Sequence, residues 1–234
     1  SYPKDGDNYL DLLKYAHYSL EYSKLMGKNR ITLFSDDILY KKARTLELNQ
    51  LLRESIDRGF IGFSVHYQPQ IDSCTGEVYG AEALARWHCT EYGDVSPVEF
   101  IPLLEQNGLI VQLGKWVFEQ AAHQCKKWSR VKDDFHMSVN LSYLQVTESD
   151  FIPFMKAILA EEGVNPANMV VELTESYLVK GDDTVRRIFD EIRQLGIRIA
   201  MDDFGTGYSS LNLLKELPVD IVKIDREFFG ECPD

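Results

Sequence analysis

The chain has 234 residues, of which 44% are hydrophobic and 26% are charged. Its 25 basic and 37 acidic residues give a formal net charge of −12, which disfavours nucleic-acid polymers because binding their phosphate backbone needs excess Lys and Arg. A small phosphate ligand held by metal ions is not excluded, since local charge decides that case. The 12 Tyr, 12 Phe and 3 Trp argue against intrinsic disorder.

Targeting and redox signals are few. No apolar stretch approaches the ~20 residues that a membrane span needs, and the polar, acidic start is unlike a signal peptide. The four cysteines form no C-x-x-C pair and no metal-ligand spacing, which predicts free thiols in a reducing cytosol. We therefore expect a cytosolic segment, which is compatible with a membrane anchor in a longer protein.

The first 60 residues predict a helix, a strand and a second helix. Apolar spacing predicts a helix over 7–26, alternation predicts a strand over 30–34, and Ser35 with two aspartates begins a helix that runs to about residue 57. One helix and one strand cannot bury a core alone. We expect 1–35 to be the tail of one domain, 36–60 to be a linker helix and 61–234 to be a second domain.

From residue 61 the pattern becomes a hairpin followed by repeated β-then-α units. Strands are predicted at 63–69, ended by Pro69, and at 78–87, 137–141, 169–173, 198–201 and 220–224. Helices are predicted at 97–106, 110–128, 150–162, 182–195 and 209–217. Strands joined by helical crossovers are parallel, so the sequence predicts an α/β fold with six strands in this part.

The later strands share one feature, a polar side chain near the C-terminal end. These residues are Glu82, Asn140, Glu172, Asp202, Asp203 and Lys223. In a parallel barrel such strand ends meet at one rim, where active sites assemble. Carboxylate and amide oxygens suit Mg²⁺ or Mn²⁺, and two such ions with a lysine suit attack of water on a phosphodiester. Any one of these residues alone is more often a cap or a solvated side chain, so the prediction depends on their convergence.

Seven segments together resemble the signature of one family. They are YQP (67–69), GAEALARW (80–87), FIP (100–102), VNLS (139–142), ELTES (172–176), DDFGTGYSS (202–210) and VKID (222–225). They resemble EAL domains, the phosphodiesterases of cyclic di-GMP, and the resemblance extends from Tyr67 to the C-terminus. It implies a TIM-like (β/α) barrel with an antiparallel first strand, and hydrolysis of one phosphodiester bond of cyclic di-GMP to give linear pGpG.

The resemblance also implies a role for each matching residue. The family's metal ligands match Glu82, Asn140, Glu172 and Asp202. Asp203 matches the residue that serves a second ion or its water, and Lys223 matches the catalytic lysine. Gln68 and Arg86 match positions that contact guanine and phosphate, and Glu175 matches the glutamate that steadies the loop after the two aspartates. The implied cofactors are two Mg²⁺ or Mn²⁺ ions.

Both ends of the chain depart from complete domains. Residues 2–6 (YPKDG) and 27–30 (GKNR) resemble the end of a GGDEF (diguanylate cyclase-like) domain without its signature loop, so we expect no cyclase activity. The EAL-like part is shorter than the ~250 residues of such barrels and stops after the sixth strand. We therefore expect an incomplete barrel with weak or no activity, whose open edges favour a homodimer or other self-association.

Three functions stay open at this point. The first is a metal-dependent phosphodiesterase, which the intact set of rim residues favours. The second is a module that binds cyclic di-GMP without cleaving it, a role that usually follows loss of metal ligands. The third is a scaffold or dimerisation fragment, which would be favoured if neither metal nor ligand raised the melting temperature.

Overall fold

A computed structural model of the chain describes residues 2–25, 27–174, 183–205 and 218–225. The chain divides into two compact units, residues 1–54 and residues 55–234. The finer domain boundaries at residues 35 and 60 stay predictions. None of the helices in the described ranges is both long and apolar enough to cross a membrane.

The first unit contains helix α1 (Tyr9–Leu25) and most of helix α2 (Asp36–Asp57). The predicted strand over 30–34 is wrong, because this segment has no regular secondary structure and pairs with none of the described strands. Side chains hold it instead. The Ser23 hydroxyl donates to the Thr32 hydroxyl at 2.6 Å, and Phe34 stacks on Tyr15 with ring centroids 4.2 Å apart.

The second unit is built on a seven-stranded mixed sheet. Its strands are β1 (Phe63–Ile71), β2 (Val78–Cys89), β3 (Gly93–Val95), β4 (His136–Asn140), β5 (Met169–Thr174), β6 (Arg198–Phe204) and β7 (Ile221–Ile224). Strands β1 and β3 pair antiparallel with β2, and the order continues in parallel as β2-β4-β5-β6-β7. The predicted hairpin and parallel series are therefore confirmed, and no pairing between β1 and β7 closes the sheet within the described strands.

The helices of this unit follow the sheet in crossovers. They are α3 (Pro97–Asn107), α4 (Ile110–Ser129), α5 (Tyr143–Val146), α6 (Phe151–Glu162) and α7 (Asp183–Gln194), with a 3₁₀ turn at Pro166–Asn168. Helix α4 packs against β1, β2 and β4 through a buried stripe that includes Leu113, Val117 and Phe118. That spacing of three and four residues is the apolar face of an amphipathic helix. The predicted helix over 209–217 lies outside the described residues.

Three details of the second unit differ from the sequence prediction. Pro69 lies inside β1 rather than ending it, because a proline is tolerated on an edge strand and β1 pairs on one side only among the described strands. Strand β3 and helix α5, of 3 and 4 residues, were not predicted. Elements this short contain too few residues to show a hydrophobic period.

An aromatic cluster forms part of the core behind the hairpin. Trp87 is 1% exposed and lies 5.8 Å from Phe63 and 6.1 Å from Phe100 between ring centroids. Its indole Nε1–H donates to the Ser55 hydroxyl at 3.2 Å, so the polar part of the ring is also satisfied. These contacts fix the end of β2 that follows Glu82.

Candidate active site

An ammonium group lies among three carboxylates that reach it from different strands. Lys223 Nζ donates to Glu82 Oε2 at 3.1 Å, to Glu172 Oε2 at 2.5 Å and to Asp202 Oδ2 at 3.2 Å. Asn140 joins the group through its side-chain amide, which donates to Glu82 Oε1 at 2.6 Å. Five of the six residues predicted at the strand ends are thus in one cluster.

Strand register explains this convergence. Asn140 on β4 lies opposite Glu172 on β5, and Thr174 on β5 lies opposite Asp202 on β6. Alternate residues of a strand face the same side of the sheet, so Glu172 and Thr174 present their side chains to one face. The positions late in neighbouring parallel strands therefore meet, as the sequence predicts.

The remaining residue predicted at the strand ends, Asp203, lies at an irregularity in the pairing of β6 with β7. Met201 lies opposite Val222, whereas Phe204 lies opposite Ile224, so the irregularity falls on Asp202 and Asp203. Asp203 has a φ of 56°, which is costly for a residue with a Cβ, and its N–H donates to Asp202 Oδ1 at 3.0 Å. Bulges of this kind re-aim side chains beside active sites. The bulge leaves Asp202 in contact with Lys223 and holds Asp203 against the Asp202 carboxylate.

The cluster contains more carboxylates than ammonium groups. Burial raises the pKa of Glu172, which is 1% exposed, and Lys223 opposes that rise only in part. Burial works against the charge of Lys223, but the carboxylates of Glu172, Glu82 and Asp202 outweigh it and raise the pKa of Lys223 above its usual value. Burial, followed by the charges of Asp202 and Asp225, also raises the pKa of Asp203. One ammonium facing several carboxylates leaves excess negative charge, which favours binding of a cation.

Two cavities adjoin the cluster, and each contains one residue predicted to contact substrate. A cavity of about 360 Å³ is shared by Asn140, Glu172 and Arg86 and is otherwise lined mainly by apolar side chains of β2, α3 and α4. Arg86 Nη1 donates to the Ala85 carbonyl at 2.9 Å. A second cavity of about 290 Å³ is lined by Gln68 together with residues of the cluster. Glu175 and residues 206–210 of the glycine-containing loop lie outside the described residues.

The turn after Asn140 is held by a hydrogen-bond network around Ser142 that is not among the predicted site residues. The Ser142 hydroxyl donates to Glu105 Oε1 at 2.6 Å, and the Ser142 N–H donates to Gln145 Oε1 at 2.8 Å. Gln145 is buried against Gly114, where an added Cβ would lie 1.5 Å from its Nε2. The S-x-x-Q spacing of a capping box at 142–145 is the signal that predicts this arrangement.

The mixed sheet brings together the residues that the resemblance to EAL domains assigns to one site. The chain matches the EAL domain over residues 49–234 and belongs to this family. The family match confirms the resemblance seen in the sequence. The predicted fold class is confirmed as well, since the neighbouring EAL structures are TIM-like barrels. The GGDEF-like start stays a prediction.

Similar proteins include two curated enzymes and one solved complex. The chain is 35% identical over 231 residues to the bifunctional diguanylate cyclase/cyclic di-GMP phosphodiesterase MucR of Pseudomonas aeruginosa, covering 98% of the chain and 33% of MucR. It is 33% identical over 226 residues to the cyclic di-GMP phosphodiesterase PdeR of Escherichia coli, covering 97% of the chain and 34% of PdeR. The structure of the PaMucR phosphodiesterase in complex with c-di-GMP matches with a TM-score of 0.73 and 37% identity, over 79% of this chain and 74% of that one. The chain spans about a third of the length of these curated relatives.

Proposed function

We propose that this chain is the catalytic part of a cyclic di-GMP phosphodiesterase that uses Mg²⁺ or Mn²⁺ and releases linear pGpG. The observation that carries the proposal is the contact of Lys223 with Glu82, Glu172 and Asp202 on one face of the sheet. The names of MucR and PdeR, and the ligand in the PaMucR complex, support cyclic di-GMP as the substrate.

The donor set fits hard divalent cations. Glu82, Asn140, Glu172 and Asp202 would hold an ion through carboxylate and amide oxygens, and Asp203 would serve a second ion or its water. Glu172 Oε1 is buried and accepts no hydrogen bond from the residues that the structure describes, so acceptor capacity is available there. Among the described residues no group of three or more His, Cys, Asp and Glu is arranged as a ligand set, and the ammonium of Lys223 lies among the carboxylates instead. Cation binding therefore requires the lysine to release some of these contacts.

The chain's own residues would position the reactants. Bound cations would neutralise phosphate charge and lower the pKa of a coordinated water. Lys223 stays protonated at neutral pH because its pKa is raised, so it can donate hydrogen bonds to the attacking water or to a phosphoryl oxygen. The water oxygen would bond to phosphorus as one P–O bond to a ribose oxygen breaks. The water gives up a proton and the leaving ribose oxygen takes one up to become a hydroxyl, which opens the ring of cyclic di-GMP.

The two cavities give the substrate complementary surroundings. Arg86 offers a guanidinium for a phosphate, and the apolar wall of the 360 Å³ cavity suits the flat face of a guanine. Gln68, opposite Glu82 in the β1–β2 pair, offers an amide that can hydrogen-bond a guanine edge.

Turnover of cyclic di-GMP with Mg²⁺ or Mn²⁺ tests the proposal. It is measured as pGpG release by this chain and by a longer version that matches the length of the curated relatives. Glu82→Gln should reduce turnover by about 10²–10³-fold, because it weakens the hold on the cation that would stabilise transition-state charge. Glu162→Gln, at a partly buried glutamate that binds His123 instead, should retain it. Unchanged turnover in Glu82→Gln would refute the proposed role of the cluster, and binding without cleavage by every version would identify a receptor module.

A further inference from the structure

Asn140 reaches the lysine–carboxylate cluster from the last position of β4. Within the described strands the pairing of β4 with β2 ends one residue earlier, at Val139 and Ala83, whereas Asn140 still lies opposite Glu172 of β5. Asn140 is exposed, so close packing does not fix the direction of its side chain. Its amide nevertheless donates to Glu82 Oε1 at 2.6 Å. The backbone on either side of Asn140 must therefore set the direction of this amide.

The backbone after Asn140 is held at two successive residues. The Leu141 N–H donates to a carbonyl oxygen of β5 at 2.9 Å. The Ser142 N–H then donates to Gln145 Oε1 at 2.8 Å, and the Ser142 hydroxyl donates to Glu105 Oε1 at 2.6 Å. The turn that follows Asn140 is thus joined to β5, to α5 and to α3.

The two side chains that hold Ser142 are themselves fixed by the helices around them. Glu105 lies in the last turn of α3, which ends at Gly108 with a φ of 76°. Gln145 is 2% exposed and lies against α4, where a Cβ on Gly114 would approach its Nε2 to 1.5 Å. Both α3 and α4 pack against β2. Separating a buried hydrogen-bonded pair is costly, so the turn has one favoured geometry.

We propose that Glu105 and Gln145 are positioning residues, which hold the Asn140 amide in the direction that a divalent cation needs. They act through the turn at Ser142, and this inference rests on the proposed role of Asn140 as a metal ligand. Glu105 and Gln145 line the cavity of about 360 Å³ together with Asn140, so they lie close enough to the site to affect it without being ligands. Groups that orient a ligand in this way change metal affinity by about 10–100-fold.

Binding of Mn²⁺ to this chain without substrate tests the proposal, with the paramagnetic resonance of free Mn²⁺ as the readout. Glu105→Ala and Ser142→Ala should each raise the dissociation constant by about 10–100-fold. Glu105→Gln keeps an oxygen that can accept from the hydroxyl, so it should restore most of the affinity. Ser129→Ala is the matched control, because it removes a hydroxyl that accepts from the buried amide of Asn168 at 3.0 Å, before the start of β5. It should keep the wild-type affinity.

A double-mutant cycle separates positioning from general loosening of the fold. In an Asn140→Ala background, Ser142→Ala should weaken Mn²⁺ binding by less than about twofold, because the amide that it misplaces is already absent. An equal loss in both backgrounds would overturn the proposal. If Ser142→Ala fails to fold in thermal unfolding, Glu105→Ala takes its place in the cycle.

The side-chain amide resonances of Asn140 provide a readout that needs neither metal nor turnover. In nitrogen-15 spectra they should be shifted from those of free asparagine in wild type and in Glu105→Gln, and should move towards the free values in Glu105→Ala. Unchanged resonances in Glu105→Ala, or a wild-type chain that binds no Mn²⁺, would overturn the proposal. Binding of Mn²⁺ without turnover by this chain or by the longer version would contradict the proposed function alone.

Discussion

Replacing Lys223 by methionine tests the electrostatic description of the cluster. The substitution keeps a long apolar stem but leaves the carboxylates of Glu82, Glu172 and Asp202 together without their common cation. Removing one partner of a buried ion pair costs about 3–5 kcal/mol. The Lys223 side chain is 28% exposed, so we expect the lower end, about 3 kcal/mol. For a protein of this size that corresponds to a fall of roughly 6–12 °C in melting temperature.

The loss should depend on pH in a defined direction. In wild type the raised pKa of Lys223 means that its contribution is fully present below the ordinary lysine value of 10.5. In Lys223→Met, Glu172 loses the cation that opposes the rise of its pKa. It therefore binds a proton more readily in the folded than in the unfolded state, so stability falls as pH rises. The penalty is small near 4.5, the usual glutamate value, and grows towards neutral pH.

Urea and thermal unfolding at pH 5 and pH 7.5 measure this effect. Lys115→Met is the matched control, because the Lys115 side chain is 26% exposed and binds one carboxylate, that of Asp150. It should lose less than 1 kcal/mol at either pH. Mn²⁺ should stabilise Lys223→Met more than wild type, since the ion takes the place of the ammonium. Equal losses for the two variants at pH 7.5, or a loss that does not change with pH, would refute the reasoning.

Three further outcomes concern packing and association. Trp87→Ala should lower the free energy of unfolding by about 3–5 kcal/mol in urea titrations, and a smaller loss than 1 kcal/mol would contradict the aromatic cluster as a core. Gly114→Ala should cost about 1–3 kcal/mol by overpacking against Gln145, and a double-mutant cycle with Gln145→Ala should recover most of it. Because β7 has an unpaired edge among the described strands and exposes Val222 and Ile224, light scattering should show self-association that Val222→Lys reduces; a monomer at all concentrations would contradict this.

The sequence predicts most of the architecture because the strands and helices of residues 55–234 are locally consistent. Hydrophobic runs, turn residues and the helical period all indicate the same elements, and tertiary contacts agree with them. The strand prediction over 30–34 is wrong because local and tertiary signals disagree. The alternation of apolar residues favours a strand, but a strand needs a neighbouring strand for its backbone hydrogen bonds. Thr32 and Phe34 instead hold the segment against helix α1 through their side chains.

The cluster could be predicted in part for a similar reason. Glu82, Asn140 and Glu172 occupy the ends of parallel strands, so topology alone brings them together. The position of Asp203 depends on a bulge that no period in the sequence reveals.

The bulge also limits which changes in length the chain can accept. From Ala200 to Phe204 β6 takes four steps, while β7 takes three from Ile221 to Ile224. Deleting one of the two aspartates would restore an even ladder while leaving a carboxylate in the motif. It would also remove the bulge that re-aims these side chains, so the remaining aspartate would follow the regular alternation of the strand. Asp202 and Asp203 thus act as a spacer as well as a pair of acids, so a substitution at either position and a deletion of one are different perturbations.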